Sequence, residues 1–408
     1  MTQAITRART ERVATPTARS GTRGGTGTLL LLASLVVSLL AASSAPTPIY
    51  AIYQAEWGFS PIATTIVFGI YAISVLVALL TLGKLSDHVG RKPVLLVTLV
   101  VQAATMIILA TAGGVPALLI GRLVQGLTTG AAIGAIGAMM LDVDAKRGQL
   151  TNAVAPGLGT ATGALLSALL VTFLPAPTHL VYYVMLAVFL VQAIGVVFIR
   201  ETVTRVPGAL ASLKPEISLP RSVRRHVLAA APVLFAVWAL AGLYGALGPA
   251  LVGKLLGSNN TILAGLILAA LAVTGSAMVL LLRNLSPVTV MVTGVTTLFM
   301  GVAVTLLALS FGSLVLFFVG TAIAGAGFGA GFQGGIRIVL PEVAPHERAG
   351  VLSLLYVLSY LGLGVPAVAA GFLTVDGPGL IGATQIYGVA VMALSLLALA
   401  ALVRARRR

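Results

Sequence analysis

From Gly83 to Pro93 the chain gathers Lys84, Asp87, His88, Arg91 and Lys92 into one short polar turn, flanked by apolar runs at 60–82 and 94–113. Two runs joined so tightly cannot both enter a soluble core without dragging the charges in, and an unpaired buried charge is very costly. In a bilayer the turn stays in water and the runs lie in lipid. The rest of the chain agrees: 58% of its 408 residues are hydrophobic and 9% are charged, against about 25% charged in soluble domains. The chain reads as an all-α membrane protein, because its apolar segments run to about 20 residues or more and do not alternate in short strands.

Runs long enough to cross about 30 Å of hydrocarbon number twelve, near 28–53, 60–83, 93–113, 115–141, 150–174, 179–199, 227–252, 260–282, 288–310, 313–338, 349–374 and 381–403. Placing the N-terminus in the cytoplasm puts 23 of the 25 Lys and Arg on that side, leaving Lys254 outside and Arg122 within a span. Positive-inside topology requires that asymmetry, and one span more or fewer would scramble it. Both termini are therefore expected in the cytoplasm of a multi-pass plasma-membrane protein. The net charge of +15 belongs to span flanks, so no nucleic-acid partner is expected. A signal peptide cleaved near Ala41, Ala42 and Ser43 is the alternative for the start, but the apolar run continues through Tyr50.

The order along the chain is a basic head at 1–27, expected to be disordered, and an N-terminal six-helix bundle at 28–200. A cytoplasmic linker at 201–226 follows, then a C-terminal six-helix bundle at 227–403 and a basic tail at 404–408. The halves echo each other. Gly121, Gly126 and Gly130 in the fourth span recur, displaced by 199 residues, as Gly320, Gly325 and Gly329 in the tenth. Two pseudo-symmetric six-span halves mark secondary transporters, whose solute site lies between the halves near mid-bilayer.

The turn after the second span reads Gly83, Leu85, Ser86, Asp87, Gly90, Arg91, Lys92, and the fourth span carries Arg122, Gln125 and Gly126. On these residues the chain resembles the major facilitator superfamily from residue 28 onward, departing at the basic position filled by His88. The fifth-span pattern of drug-exporting members is met in part, by Gly159 and Gly163. Ala164 stands where the family has Pro, and Ser167 and Ala168 where it has paired glycines. The resemblance implies alternating access by a rocker-switch. It also implies a gate on the cytoplasmic side, in which Asp87 docks at the N-terminus of the eleventh span near Arg348, with Arg91 and Lys92 reaching Glu342 or Glu347. A carboxylate is favoured at a helix N-terminus, where backbone N–H groups are unpaired.

Arg122 is the basic residue well inside a span, and centring it in a membrane costs about 2.5–3.5 kcal/mol on insertion scales. It calls for a partner: backbone of the first span, where Pro46 and Pro48 leave carbonyls without donors, or an anionic solute. Tyr50, Tyr53, Gln102, Gln192, Trp238, Tyr244, Gln333, Tyr356 and Tyr360 are the other candidates for a cavity wall, each equally readable as helix packing. The ten carboxylates all fall in loops, the linker or span ends, so an intramembrane acid for proton coupling is not evident, although protons stay a candidate coupling ion. No metal site is expected, since no His pair has ligand spacing and there is no Cys. No cofactor is expected, and no Walker loop is present. The expected partners are a small-molecule solute and the lipid bilayer, with the protein a monomer. The reading is a transporter, not an enzyme, more readily an exporter of amphipathic or drug-like compounds or metabolites. A sugar or organic-anion permease is the alternative. A membrane-embedded enzyme would need a convergent catalytic set that the sequence does not offer.

Overall fold

The structure is a computed structural model describing residues 23–257 and 260–406, and every regular element among them is helical. The N-terminal half comprises α1 (Arg23–Ser44), α2 (Tyr50–Trp57), α3 (Pro61–Leu82), α4 (Leu85–Val89), α5 (Arg91–Ala110), α6 (Val115–Val143), α7 (Ala145–Phe173) and α8 (Leu180–Phe198). The C-terminal half comprises α9 (Arg224–Leu256), α10 (Thr261–Leu281), α11 (Pro287–Phe311), α12 (Leu314–Val339), α13 (Arg348–Asp376) and α14 (Gly379–Arg406). Among the described residues, twelve segments are long and apolar enough to cross a membrane. The first joins α1 and α2, because Pro46 and Pro48 interrupt the ladder and the chain passes through a 3-10 turn at Thr47–Ile49.

Span ends follow local chemistry. Asp144, Asn260, Ser286 and Ser313 each accept a backbone N–H of the helix they precede, which satisfies one donor the first turn leaves free. That cap explains a difference from the sequence reading: α7 starts at Ala145, not near 150, with Lys146 and Arg147 in its first turn. Of the segment expected to be disordered, residues 1–22 lie outside the described residues, and α1 already begins at Arg23. The linker is shorter than expected, since α9 begins at Arg224. At the other end α14 continues into the tail as far as Arg406, and 407–408 lie outside the described residues.

The internal repeat is physical. A Cβ on Gly121 would meet Leu109 of α5, and Cβ atoms on Gly126 and Gly130 would meet Tyr71 O and Val75 O of α3, each at 2.6 Å. In the second half Gly320 faces Thr305 of α11, while Gly325 and Gly329 face the α10 backbone at Leu271 and Gly275. The fourth span thus packs on the third and second as the tenth packs on the ninth and eighth. Small residues permit such close helix approach in lipid, where packing rather than water exclusion holds helices together. The halves meet along α3 with α13 and along α7 with α10. The linker, the chain's described ends and the turns after the second and fourth spans share one end of the bundle, here called the linker face.

Candidate functional site

At the linker face the polar turn is a structured hub. Arg91 is buried at the start of α5 and pairs with Asp87 at 3.5 Å and with Asp142, at the end of α6, at 3.0 Å. Lys92 Nζ donates to Val197 O of α8 at 2.5 Å. Glu201 accepts the backbone N–H groups of Arg91 (3.1 Å) and Lys92 (3.0 Å), so its carboxylate closes the α5 N-terminus. Gly90 makes the approach possible: its φ of 101° suits glycine, and a Cβ there would sit 2.7 Å from Glu201 Oε2. The linker continues across the turn. Val206 N donates to His88 O at 3.1 Å, Lys84 pairs with Glu216, and Ser218 N donates to Gly350 O at 3.2 Å near the α13 start.

The gate implied by the resemblance is not formed in this conformation. Asp87 stays with Arg91, and its carboxylate makes no hydrogen bond or ion pair to residues 348–350. Glu342 and Glu347 take no partner from Arg91 or Lys92. The linker stands between, and Ser218 covers Gly350, where a Cβ would strike its side chain.

Glu201 is the tie that sequence inspection missed, since a lone acid at the head of a polar linker carries no signal of what it caps. Partial burial pushes its carboxyl pKa up, but backbone donors from Lys92, Thr202, Arg91 and Val203 outweigh that and hold it below 4.5. A depressed value means the tie is at full strength above about pH 4.5 and is lost as pH falls through the folded value. Hydrogen exchange at the amides of Arg91 and Lys92, corrected for intrinsic rates, should therefore quicken as the medium is acidified below that point. Glu201→Gln should show about two- to five-fold faster exchange already at neutral pH, the size of a solvent-accessible helix cap, and no further acid step.

Arg122 lies deep in the N-terminal half and is 1% exposed. Its Nη1 donates to Ser43 O at 2.9 Å and to Gln125 Oε1 at 2.6 Å, while Gln125 Nε2 donates to Ala42 O at 3.0 Å. The Tyr71 ring lies 4.1 Å from its Cζ, a cation–π contact. The donors go where the first span needs them. In an unbroken helix Ala42 O would accept from residue 46, which here is a proline without an N–H, and the 3-10 turn also frees Ser43 O. Ser167 Oγ closes the set on Ala45 O at 2.7 Å. Gly159 and Gly163 bring α7 against the α1 backbone, so that a Cβ on Gly159 would lie 2.6 Å from Val37 O. Gln125 and Gly126 thus serve two neighbours of α6: α1 through the amide and α3 through the missing side chain.

The remaining candidates separate into two groups. Tyr53 donates to Thr178 O (3.1 Å), Gln102 accepts from Thr128 Oγ1 (2.5 Å), Gln192 accepts from Ser38 Oγ (2.8 Å), and Tyr244 bonds Thr305 and Thr321 (3.1 and 2.9 Å). These tie helices within one half. Tyr50 is buried with no partner for its hydroxyl, and Gln333 Nε2 reaches Val279 O at 3.5 Å. Tyr356 is half-buried on α13. Trp238 and Tyr360 come together, with ring centroids 5.0 Å apart, and recruit Phe328 and Phe332 of α12. Those two phenylalanines were not singled out from sequence, although their four-residue spacing puts them on one helix face.

Comparison with known proteins agrees with this architecture. The family model described as Major Facilitator Superfamily matches residues 30–289. Among solved structures, a point mutant of the nucleoside transporter NupG aligns with TM-score 0.69 at 14% identity, over 93% of this chain and all of that one. A bacterial homologue of the human lysosomal transporter Spinster, inward-facing and unoccupied, aligns with TM-score 0.72 at 13% identity, over 94% and 96%. At such identities the structures share the fold alone. The family match spans more than half of the sequence, and the paired six-helix halves fit it: the chain belongs to the major facilitator superfamily.

Proposed function

We propose that this transporter of small solutes exports an amphipathic organic compound across the plasma membrane by alternating access, as a monomer with both termini in the cytoplasm. The observation that carries the reading is the uneven seam between the halves. On α3 and α13 direct contacts join Thr65, Gly69 and Ala72 to Gly364, Val368 and Gly371, all in the part of each helix away from the linker face. At the linker face the linker touches both sides: Ser218 N donates to Gly350 O of α13, and Glu216 pairs with Lys84 just beyond α3. A seam closed directly at one end and spanned by the linker at the other fits two halves that rock about a site between them. The closely packed α1 and α7 meet at Gly159 and Gly163, the part of the fifth-span exporter pattern that this chain keeps.

The permease alternative, with Arg122 clamping an anion, is weakened because Nη1 is taken by Ser43 O and Gln125 Oε1 and the Tyr71 ring lies against the guanidinium, which leaves Nε as the buried donor without a partner. For coupling, no carboxylate stands in the middle of a span among the described residues. Facilitated movement, or proton coupling through another group, is the reading. Counterflow in proteoliposomes tests it. Aromatic amphiphiles, nucleosides, sugars and organic acids would each be offered with and without an imposed proton gradient. Saturable exchange of an amphiphile is expected; exchange of sugars alone would reverse the solute class, and exchange of nothing would end the transport reading.

A further inference from the structure

In the C-terminal half, Trp238, Phe328, Phe332 and Tyr360 come from three helices and pack ring to ring. Trp238 meets Phe328 and Phe332 edge-on at 5.9 and 5.5 Å, and Tyr360 at 5.0 Å. All four are only partly buried, whereas Val237 and Ala239, the neighbours of Trp238 in sequence, are fully buried. The indole Nε1–H is enclosed and has no acceptor. Buried indole N–H groups normally find one, and leaving one unpaired is costly. The cluster faces the other half: Gly364, one turn from Tyr360 on α13, lies against Gly69 and Ala72 of α3, and Gly245, two turns from Trp238 on α9, lies against the Phe68 ring of α3. It therefore sits on the seam where a transported solute would pass, rather than on the lipid side.

We infer that these four rings form the solute's recognition surface, selecting an uncharged, planar aromatic molecule whose hydrogen-bond acceptor pairs with Trp238 Nε1–H. Planarity follows from the rings, because stacked and edge-on contacts favour a flat partner beyond the area covered. The acceptor follows from the orphaned indole N–H, which no residue here satisfies and which a solute reaches once rocking of the halves uncovers it. Absence of charge follows from α9, α12 and α13, whose acidic and basic residues all lie in first or last turns, so neither a cation nor an anion is matched beside the rings. This inference rests on the transporter reading and narrows its solute class.

The probe is radiolabelled 2-naphthamide, which is flat, neutral and carries a carbonyl acceptor, bound to detergent-purified protein. Decahydro-2-naphthamide keeps the acceptor and loses planarity; 2-ethylnaphthalene keeps planarity and loses the acceptor. As competitors both should be roughly tenfold weaker than 2-naphthamide. Trp238→Phe keeps a ring but no N–H, so it should erase the difference between 2-naphthamide and 2-ethylnaphthalene. Tyr360→Leu, which leaves the indole intact, should weaken both aromatic compounds and spare that ratio. Equal competition by the saturated compound, or an unchanged ratio in Trp238→Phe, overturns the inference. Counterflow separates the two levels. Exchange of a sugar without naphthamide binding sinks the aromatic surface and leaves transport standing, whereas naphthamide binding with no exchange of any solute does the reverse.

Discussion

Gly329→Val should leave little folded, monodisperse protein. The glycine of α12 lies directly on the backbone of α10 at Gly275, and an added Cβ would collide with that carbonyl oxygen. Overpacking that side chains can absorb costs about 1–3 kcal/mol. Here the obstacle is main chain, which cannot change rotamer, so the helices must part along their length and the loss should exceed that range. Because the halves repeat, Gly130→Val in α6 should behave alike, with Val75 O at 2.6 Å and Ala78 Cβ at 2.7 Å in its path. Gly113→Val is the control, since nothing lies within 4 Å of a Cβ there. Size-exclusion profiles and thermal unfolding in detergent read the three together. A Gly329→Val protein that elutes and melts like the parent would refute the close α10–α12 contact.

The twelve spans and the two-fold repeat were legible because lipid leaves the sequence few choices. A spanning helix must satisfy its own backbone, so it announces itself by length and apolarity, and its charges collect at the flanks. Span edges were less legible: a residue such as Asp144 reads as loop by polarity yet caps the helix that carries Lys146 and Arg147. The polar residues inside spans divided differently. Pro46 and Pro48 signal in sequence that carbonyls of the first span lose their donors, which makes that span one of two readable partners for Arg122, beside an anionic solute. Nothing in sequence says that Gln102 turns toward Thr128 or that Tyr244 turns toward Thr321, because that depends on which helix lies alongside. The linker was the least legible part. Its contacts with His88, Lys84 and Gly350 join residues far apart in the chain, and they occupy the α13 start where the family pattern points Asp87.

Arg122→Leu should destabilise the protein even with no solute present. The guanidinium is costly to bury, so its removal returns some free energy; against that, Ser43 O loses its donor and Gln125 loses the group that orients it. Leaving a buried acceptor unpaired costs about 1–3 kcal/mol, and the emptied space beside Tyr71 adds to it. Arg122→Lys should fall between, since an ammonium keeps the charge and can donate to Ser43 and Gln125 but loses the planar group that lies against the Tyr71 ring. If the arginine were instead a solute clamp, both variants would melt like the parent and lose only counterflow. The discriminating result is thus a lowered melting temperature in the absence of solute, larger for leucine than for lysine. Gln125→Leu should share it, because Ala42 O then loses the donor that Pro46 cannot supply. That three-way ordering follows from the geometry of the broken first span, and a clamp would have no reason to reproduce it.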